Sequence, residues 1–375
     1  MDNFTLMNWK KFVAPFLILF ILLSVSSCKL GRFVIYNFAD INDHKKFPSR
    51  TIEKPQESWT FATRDTLKPP RNIAADGVDM EWREFLKEHK SVAFLLIKND
   101  TIIVEDYLYD YDRASVVPSF SMAKSVVSIL LGIAIEEGYI ESVQDPVTKY
   151  LPEMREEFDQ VTIEHLLQMT SGLDYNESYV NPFGDAATSY YGRNLTKMVN
   201  KSKLETEPGQ RFSYVSGDTQ ILTNLLSSAL GEQTVSGYLE EKLWKPLGME
   251  YDASWSLDRK EGLEKGFCCL NARAKDFAKI GRLYLNKGSW NGKQIVPESW
   301  VEMSTMIDSS NGSADFYQYQ WWIRPGGNDY YANGILGQYI YVNPELNIIA
   351  VRLGKKTGGV GWSGLMASLA ERYTE

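Results

Sequence analysis

Strand-like patterns occupy both ends of the folded part of this chain, and helical patterns lie between them. The strand-like runs cover residues 91–97, 101–107, 320–323, 330–342 and 348–353. The first two are joined at Asn99-Asp100, which is a hairpin signal. Strands at both ends imply an α+β fold in which distant segments build one mainly antiparallel sheet. We expect helices to flank this sheet, and a helical subdomain to be inserted at about residues 138–210.

The composition allows a large core and argues against a nucleic-acid partner. Of 375 residues, 44% are hydrophobic and 13% aromatic, which suits one catalytic unit of two subdomains. The net charge is −8, and no cluster of Lys and Arg is present to bind phosphates. The histidines are His44, His89 and His165, and none belongs to an H-E-x-x-H pattern. We therefore predict no metal site and no cofactor.

The first 28 residues have the pattern of a secretion signal. Two lysines at positions 10 and 11 precede an apolar run over 12–25, and two serines then precede Cys28. This pattern resembles a bacterial lipoprotein signal, which implies that Cys28 carries the lipid and that the membrane is a partner through it. The domain would then face the periplasm or the exterior. The run is shorter than the roughly 20 residues of a spanning helix, and an uncleaved anchor is the alternative.

The segment that follows the signal predicts a leader. Residues 29–78 carry scattered Pro, Lys and Arg without a sustained period, so we expect an extended linker. The folded domain would then cover 79–375, with the fold proper beginning near Met80.

Two cysteines, Cys268 and Cys269, are adjacent in the sequence. Neighbouring cysteines have poor geometry for a disulfide, and no C-x-x-C pattern suggests a metal. We expect both to be small buried side chains.

A Ser-x-x-Lys motif stands at the start of a long apolar helix pattern. Ser121 and Lys124 fall one turn apart on one helix face, a geometry that can activate serine without histidine. The spacing alone is weak evidence, since residues 26–29 match it by chance. The helix-start signals Pro118 and Ser119 give the first match its context.

Several short phrases stand out from about residue 90 onward. They are Ser121-Met122-Ala123-Lys124, Asp145-Pro146-Val147-Thr148-Lys149-Tyr150-Leu151-Pro152, the phrase from Thr162 to Leu173, Pro208-Gly209-Gln210-Arg211-Phe212-Ser213-Tyr214, Lys245-Pro246-Leu247-Gly248-Met249 and Gly334-Ile335-Leu336-Gly337-Gln338. Together they resemble the serine β-lactamase and penicillin-binding-protein superfamily. The resemblance is strongest to the branch of class C β-lactamases, related esterases and 6-aminohexanoate-dimer hydrolases.

The resemblance implies a set of catalytic roles. Ser121 would be the nucleophile, Lys124 the base and Tyr214 the proton relay to the leaving group. A lysine that is desolvated against a helix core has a lowered pKa, which suits it to accept the serine proton. The backbone N–H groups of Ser121 and Ile335 would form the oxyanion hole.

The third motif of the family has two candidates. A literal Lys356-Thr357-Gly358 lies in a Gly-rich loop, whereas Ala332-Asn333-Gly334 lies on the strand before the last hairpin. We favour Ala332-Asn333-Gly334, because Gly334 then precedes Ile335, and the Gly337-Gln338 pair fits the esterase and dimer-hydrolase branch. Lys356 is then a solvated loop charge.

The resemblance also indicates substrate-binding positions. They are Tyr179, Ser216, Trp322, Gly334, Gly337 and Gln338. Tyr179 would lie on a loop over the site, and Ser216 replaces the asparagine usual in lactamases of this branch. Alternation along a strand predicts that Trp321 and Trp322 point in opposite directions.

These departures favour a substrate other than penicillin. Ala332 offers no cation for the carboxylate of a β-lactam, and Ser216 is a second departure. We therefore predict hydrolysis of a small-molecule ester or small amide. A class C-type β-lactamase, a cell-wall D-peptidase or D-aminoacyl esterase, and a non-catalytic binding module remain alternatives, and the oligomeric state is open.

A Ser-His-Asp mechanism is disfavoured. His165 lies in a phrase that the family uses to build a helix, so we expect a packing or hydrogen-bonding role. No G-x-S-x-G motif is present either.

Overall fold

The computed structural model describes residues 38–63, 70–75, 78–179, 181, 183–310 and 312–373. The strands are β1 (Ser49–Ile52), β2 (Ala62–Thr63), β3 (Asn72–Ala75), β4 (Val78–Glu81), β5 (Ser91–Lys98), β6 (Thr101–Tyr107), β7 (Val117–Pro118), β8 (Ala253–Ser256), β9 (Leu270–Ala272), β10 (Ser289–Trp290), β11 (Lys293–Gln294), β12 (Tyr317–Gln318), β13 (Trp321–Ile323), β14 (Tyr330–Gly334), β15 (Gln338–Asn343) and β16 (Ile348–Gly354).

The α-helices of the same residues are mostly short. They are α1 (Trp82–Glu88), α2 (Met122–Glu136), α3 (Ile163–Leu167), α4 (Asp185–Tyr191), α5 (Leu195–Val199), α6 (Ser216–Ala229), α7 (Val235–Leu239), α8 (Ala274–Leu285), α9 (Glu298–Thr305) and α10 (Trp362–Glu371). The 3₁₀ helices cover Asp43–Lys45, Val147–Lys149, Glu156–Gln160 and Ile335–Gly337, and a π-helical turn covers Glu240–Trp244.

An eight-stranded sheet unites the two ends of the chain, as predicted. Its strand order is β12-β13-β14-β15-β16-β5-β6-β2. Every neighbouring pair is antiparallel except β2 and β6. The β5–β6 hairpin turns at Asn99 and Asp100, whose φ angles of 49° and 58° suit a two-residue turn with left-handed backbone. The expected α+β architecture is confirmed.

Helices cover both faces of this sheet. On β5, Leu95 and Ile97 face the core that contains α2 and α8, whereas Phe94 and Leu96 face Trp82, Trp362 and their helices. Because successive strand residues point to opposite faces, a strand covered on both sides is apolar throughout. The sheet therefore separates two cores, and α2 belongs to the larger one.

The segment expected to be an extended leader is partly built into the fold. β1 pairs with β8 in a four-stranded sheet of order β1-β8-β9-β7, and Ile52 is fully buried there. β2 pairs with β6, and Trp59 N donates a hydrogen bond to Gly248 O over 2.8 Å. The leader interpretation is therefore wrong for residues 49–63. These strands are too short to show a period, which explains the error.

The predicted signal segment and Cys28 lie outside the described residues. In the part of the chain that the structure does describe, no helix has both the length and the apolar character needed to cross a bilayer. Residues 138–210, the predicted helical insertion, consist of short helices and loops that include α3, α4 and α5.

Candidate active site

Ser121 is the residue immediately before α2. The chain enters the helix through Phe120, whose φ is 44°, and Ser121 is 9% exposed. The first N–H groups of a helix have no partners within it, so Ser121 stands at the partially positive end of a 15-residue helix. The sequence pattern predicted this position of Ser121 at the start of the helix.

Lys124 lies one turn further on and is almost completely buried. Its Nζ is 3.1 Å from Ser121 Oγ, 3.0 Å from Ser216 Oγ and 2.9 Å from Phe267 O. Burial lowers the pKa of Lys124 to about 8, while the negative charge of Glu177 acts in the opposite direction. An amine with this pKa is partly neutral near pH 7 and can accept a proton.

Tyr214 completes this group of side chains. The centroid of its ring is 5.1 Å from Lys124 Nζ, and its phenol interacts with the Ser121 side chain. Burial raises the pKa of Tyr214 above its usual value of 10, so the phenol stays protonated near neutral pH. A neutral phenol close to Ser121 can donate a proton and be reprotonated.

The end of β14 packs tightly against the Ser121 turn. A Cβ atom on Gly334 would lie 2.4 Å from Ser119 O and 3.1 Å from Ser121 N. Such contacts exclude any larger residue unless the backbone moves. Gly334 therefore allows the strand to bring the backbone of Ile335 alongside Ser121.

These elements border a cavity of about 350 Å³. Its described lining consists of Ser121, Glu177, Tyr179, Tyr214, Trp322, Asn333, Gly334, Ile335, Gly337, Tyr339 and Thr357. Four aromatic rings supply much of the wall. Glu177 is the charged residue of this lining, so the cavity offers a substrate an acid and several apolar surfaces.

Most of the predicted substrate-binding residues line this cavity. Tyr179, Trp322, Gly334 and Gly337 do so. Trp321 is instead fully buried and stacks on Tyr284, which confirms the predicted alternation of the two tryptophans.

Ser216 and Gln338 differ from their predicted roles because both are fully buried. The Gln338 side chain bonds to the backbone N and O of Gly354 over 2.9 and 2.8 Å, and so joins β15 to β16. The Ser216 hydroxyl lies between Lys124 and Glu177. The polar atoms of both side chains form hydrogen bonds with protein groups, and neither side chain is exposed to a ligand.

Both candidates for the third motif lie near the cavity. Ala332 is buried in the core, while Asn333 and Gly334 line the site from β14. Thr357 lines the cavity as well, whereas its neighbour Lys356 is exposed. The preferred triplet thus contributes two lining residues, and the loop triplet contributes one that the sequence analysis did not assign.

A buried guanidinium joins the two segments that carry these residues. Arg352, on β16, donates to Leu336 O over 2.9 Å, to Gly337 O over 2.7 Å and to Lys356 O over 2.9 Å. The five donors of arginine suit such a set of carbonyls. The position of the Ile335 turn therefore depends on a side chain that lies outside the cavity.

Sequence reasoning assigned no site role to three lining residues, Glu177, Tyr339 and Thr357, and it named Asn333 only as part of the preferred third motif. Glu177 is the most important of them, because it is charged and close to Lys124. Its proximity to Tyr179 in the sequence was the available signal, since that tyrosine was already assigned to a loop over the site. No spacing rule marks the carboxylate itself.

His165 has the structural role that was expected. The His165 Nδ1 accepts a hydrogen bond from the backbone N–H of Thr162 over 3.1 Å, and the backbone N–H of His165 donates to Thr162 Oγ1 over 3.2 Å. This reciprocal pair caps α3.

Cys268 and Cys269 form a disulfide, so the expectation of two unlinked side chains is wrong. Both are buried, as predicted. The φ of 71° at Cys269 is left-handed, and this backbone turn lets neighbouring side chains meet. The disulfide directly follows Phe267, whose carbonyl accepts a hydrogen bond from Lys124.

Comparison with known proteins agrees with this geometry. The model of the Beta-lactamase family matches residues 82–363. The chain is 27% identical over 347 residues to the 6-aminohexanoate-dimer hydrolase of Paenarthrobacter ureafaciens, which covers 80% of this chain and 86% of that protein.

Two solved structures show the same fold. A Bacillus anthracis protein, provisionally called a 6-aminohexanoate-dimer hydrolase, has a TM-score of 0.78 at 22% identity and covers 88% of this chain and 92% of that one. A penicillin-binding protein from Bacillus halodurans has a TM-score of 0.63 at 18% identity and covers 78% and 99%.

Proposed function

Because this chain belongs to the Beta-lactamase family, we propose that it is a serine hydrolase that forms an acyl-enzyme on Ser121 and cleaves an ester or a small amide. The observation that carries the proposal is the 3.1 Å contact between Ser121 Oγ and the buried Nζ of Lys124. A lysine with a lowered pKa next to a serine at the mouth of a cavity is one arrangement that activates serine as a nucleophile.

The proposed reaction uses each group in turn. Ser121 Oγ bonds to the substrate carbonyl carbon while its proton passes to Lys124, and the negative charge on the carbonyl oxygen is held by the N–H groups of Ser121 and Ile335. The tetrahedral intermediate then expels the leaving group, which takes a proton from Tyr214. Lys124 returns its extra proton to Tyr214, and water cleaves the acyl-enzyme by the reverse of these steps.

The charge of the cavity supports an uncharged acyl substrate. Among the described lining residues none is Lys or Arg, and Glu177 is acidic. A β-lactam carries a carboxylate, which such a cavity repels rather than binds. The likeness to the Paenarthrobacter ureafaciens hydrolase, named for an amide dimer, adds a small amide to the candidate substrates.

The test combines covalent labelling with turnover. The purified protein is treated with a fluorophosphonate probe and assayed on short aryl esters, small amides and a chromogenic cephalosporin. Ser121→Ala is compared with Ser299→Ala, which alters an exposed serine in the first turn of α9. We expect label and ester turnover in the wild type and in Ser299→Ala, and neither in Ser121→Ala.

Two results would overturn the proposal. Equal labelling of wild type and Ser121→Ala would show that Ser121 is not the nucleophile. Cephalosporin turnover far above that of any ester or amide would make the protein a β-lactamase instead.

The sequence pattern at residues 1–28 supports a second proposal, that the protein is exported and anchored through a lipid on Cys28. Cells grown with an alkyne-tagged fatty acid should label the wild type and not Cys28→Ala. Label on both proteins, or on neither, would contradict it.

A further inference from the structure

Glu177 forms a compact hydrogen-bonded group behind Lys124. Its Oε1 accepts from Ser216 Oγ over 2.6 Å and from the Tyr179 phenol over 2.5 Å. Its Oε2 accepts from Ser216 N over 2.7 Å, at the start of α6. Ser216 is fully buried, and Tyr179 is half-buried. The carboxylate thus reaches Lys124 through one serine hydroxyl.

The direction of these hydrogen bonds follows from the number of protons. An ionised carboxylate only accepts, so the single hydroxyl proton of Ser216 is held by Glu177. The oxygen of Ser216 is then left as an acceptor for Lys124 Nζ, which lies 3.0 Å away. The 2.6 Å bond from Ser216 Oγ to Glu177 is charge-assisted and therefore strong, so it holds the hydroxyl in this orientation, while the bonds from Tyr179 and from Ser216 N hold the carboxylate.

This orientation decides where the lone pair of the lysine points. The Phe267 carbonyl also only accepts, so two N–H groups of a neutral Lys124 are directed to Ser216 and Phe267. A neutral amine has two N–H groups and one lone pair. The remaining direction is that of Ser121 Oγ, at 3.1 Å.

We propose that Glu177 is a positioning residue: by fixing the hydroxyl of Ser216, it aims the lone pair of Lys124 at Ser121. The inference rests on the proposed function, because it assigns Lys124 as the base. Without the carboxylate, Ser216 can turn its proton toward the amine and compete with Ser121 for the lone pair. After proton transfer, the three N–H groups of the ammonium match the three acceptors around it.

Glu177 also acts on Lys124 through its charge. Its negative charge favours the ammonium and so raises the pKa of Lys124, against the larger effect of burial. The other described titratable groups that interact with Glu177 include four tyrosines and Asp218, and burial raises the pKa of each; the tyrosines are Tyr175, Tyr179, Tyr214 and Tyr317. These tyrosines therefore remain uncharged near pH 8, and Asp218 accepts a hydrogen bond from Ser171 over 2.6 Å.

A purely structural role makes a different prediction. Through Oε2, Glu177 caps α6, and loss of a helix cap lowers stability by about 1 kcal/mol. Such a loss changes the melting temperature but not the pH dependence of the reaction. The positioning role changes the rate of acylation and the pH at which it falls.

The experiment measures the rate of inactivation by the fluorophosphonate probe as a function of pH, because inactivation reports acylation-like attack alone. The variants are Glu177→Gln, Glu177→Asp, Ser216→Ala and the double variant Glu177→Gln/Ser216→Ala. Glu207→Gln, which alters an exposed loop carboxylate, is the matched control. Circular dichroism at each pH checks that every variant is folded.

We expect Glu177→Gln to slow inactivation by one to two orders of magnitude, on the order of the effect of a misoriented base. Its acidic limb should move to lower pH than that of the wild type, because the ammonium loses a stabilising charge. Glu177→Asp should recover part of the rate. Since Glu177 acts through Ser216, the double variant should be no slower than Ser216→Ala.

Wild-type inactivation rates and an unmoved acidic limb in Glu177→Gln, with Ser121 still labelled, would overturn this inference and leave the proposed function intact. Losses that multiply in the double variant would overturn it as well. Failure of the wild type to be labelled at Ser121 is a different result, because it would contradict the proposed function itself.

Discussion

The two sides of the cavity are built in different ways. One side, the nucleophile wall, consists of Ser121, Gly334 and Ile335, with Lys124 buried behind Ser121, and it is formed by a helix start that packs against the end of a central strand. The other side, the loop wall, carries Glu177, Tyr179 and Thr357. The first is positioned by core packing and backbone, whereas Glu177 and Tyr179 of the second are held by hydrogen bonds to each other and to the Ser216 side chain. The comparison shows that the sheet and its helices position the groups of the proposed reaction, while loops position the side chains around those groups.

Removal of the Lys124 amine should reduce activity more than any other single change near the nucleophile wall. In Lys124→Met, we expect kcat/KM on an aryl ester to fall on the order of 10³-fold, since a general base contributes about 10² to 10⁴. The thermal stability should change little, because removal of a buried amine offsets the loss of the donor to Phe267 O and Ser216 Oγ. A loss below tenfold with a folded protein would show that another group accepts the serine proton.

The backbone contact between the strand and the helix start should come next. A methyl group at Gly334 collides with Ser119 O, so Gly334→Ala has to shift the strand that carries the Ile335 donor. Loss of one oxyanion donor costs on the order of 10² in kcat. Gly364→Ala is the matched control, because a Cβ there meets open space. Equal kcat for the two variants would contradict the tight packing at Gly334.

Arg352 tests whether the two walls are mechanically joined. In Arg352→Lys, three N–H groups replace five, so at least two of the five acceptors, which are four carbonyls and the Ser91 hydroxyl, lose a donor, at about 1 kcal/mol each. Urea unfolding should show a loss of about 2 kcal/mol, and activity should fall too because the Ile335 turn moves. A loss of stability without any change in kcat would mean that the turn keeps its position unaided.

The pH dependence of the unmodified protein comes last, and it distinguishes the two titrating groups next to Ser121, which are Lys124 and Tyr214. The base works in its neutral form, so kcat/KM should fall tenfold per unit as the pH drops below the Lys124 pKa of about 8. The raised pKa of Tyr214 predicts no decline from that group between pH 8 and 10. An acidic limb near pH 6.5 would instead indicate a histidine.

The Ser121–Lys124 pair could be predicted from the sequence because it is a local, helix-spaced pair, and Asn99-Asp100 marks a hairpin by turn chemistry alone. Gly334 and Ile335 are far from this pair in the sequence, and only the family resemblance indicated them. Glu177 and Thr357 reach the cavity through loops, whose paths depend on tertiary contacts that no periodicity records. The roles of Ser216 and Gln338 were also out of reach, since a buried side chain and a ligand-facing one look alike in a sequence.

Short segments caused the other errors. β1 has four residues, of which Ile52 is fully buried, so its strand character comes from pairing with β8. The Cys268–Cys269 link depends on one left-handed φ angle, which composition does not reveal. Both features are products of the surrounding fold.

The pairing of β5 with β16 has a consequence for how the protein acquires its activity. Ile97 lies opposite Ile349, so the centre of the sheet closes only when nearly the whole chain is available. Contacts this distant along the chain make folding slow. During synthesis, Ser121 emerges long before Ile335, and the nascent chain therefore holds a serine without the oxyanion donor proposed for Ile335. The proposed activity would therefore arise late, once β14, β15 and β16 have closed the sheet.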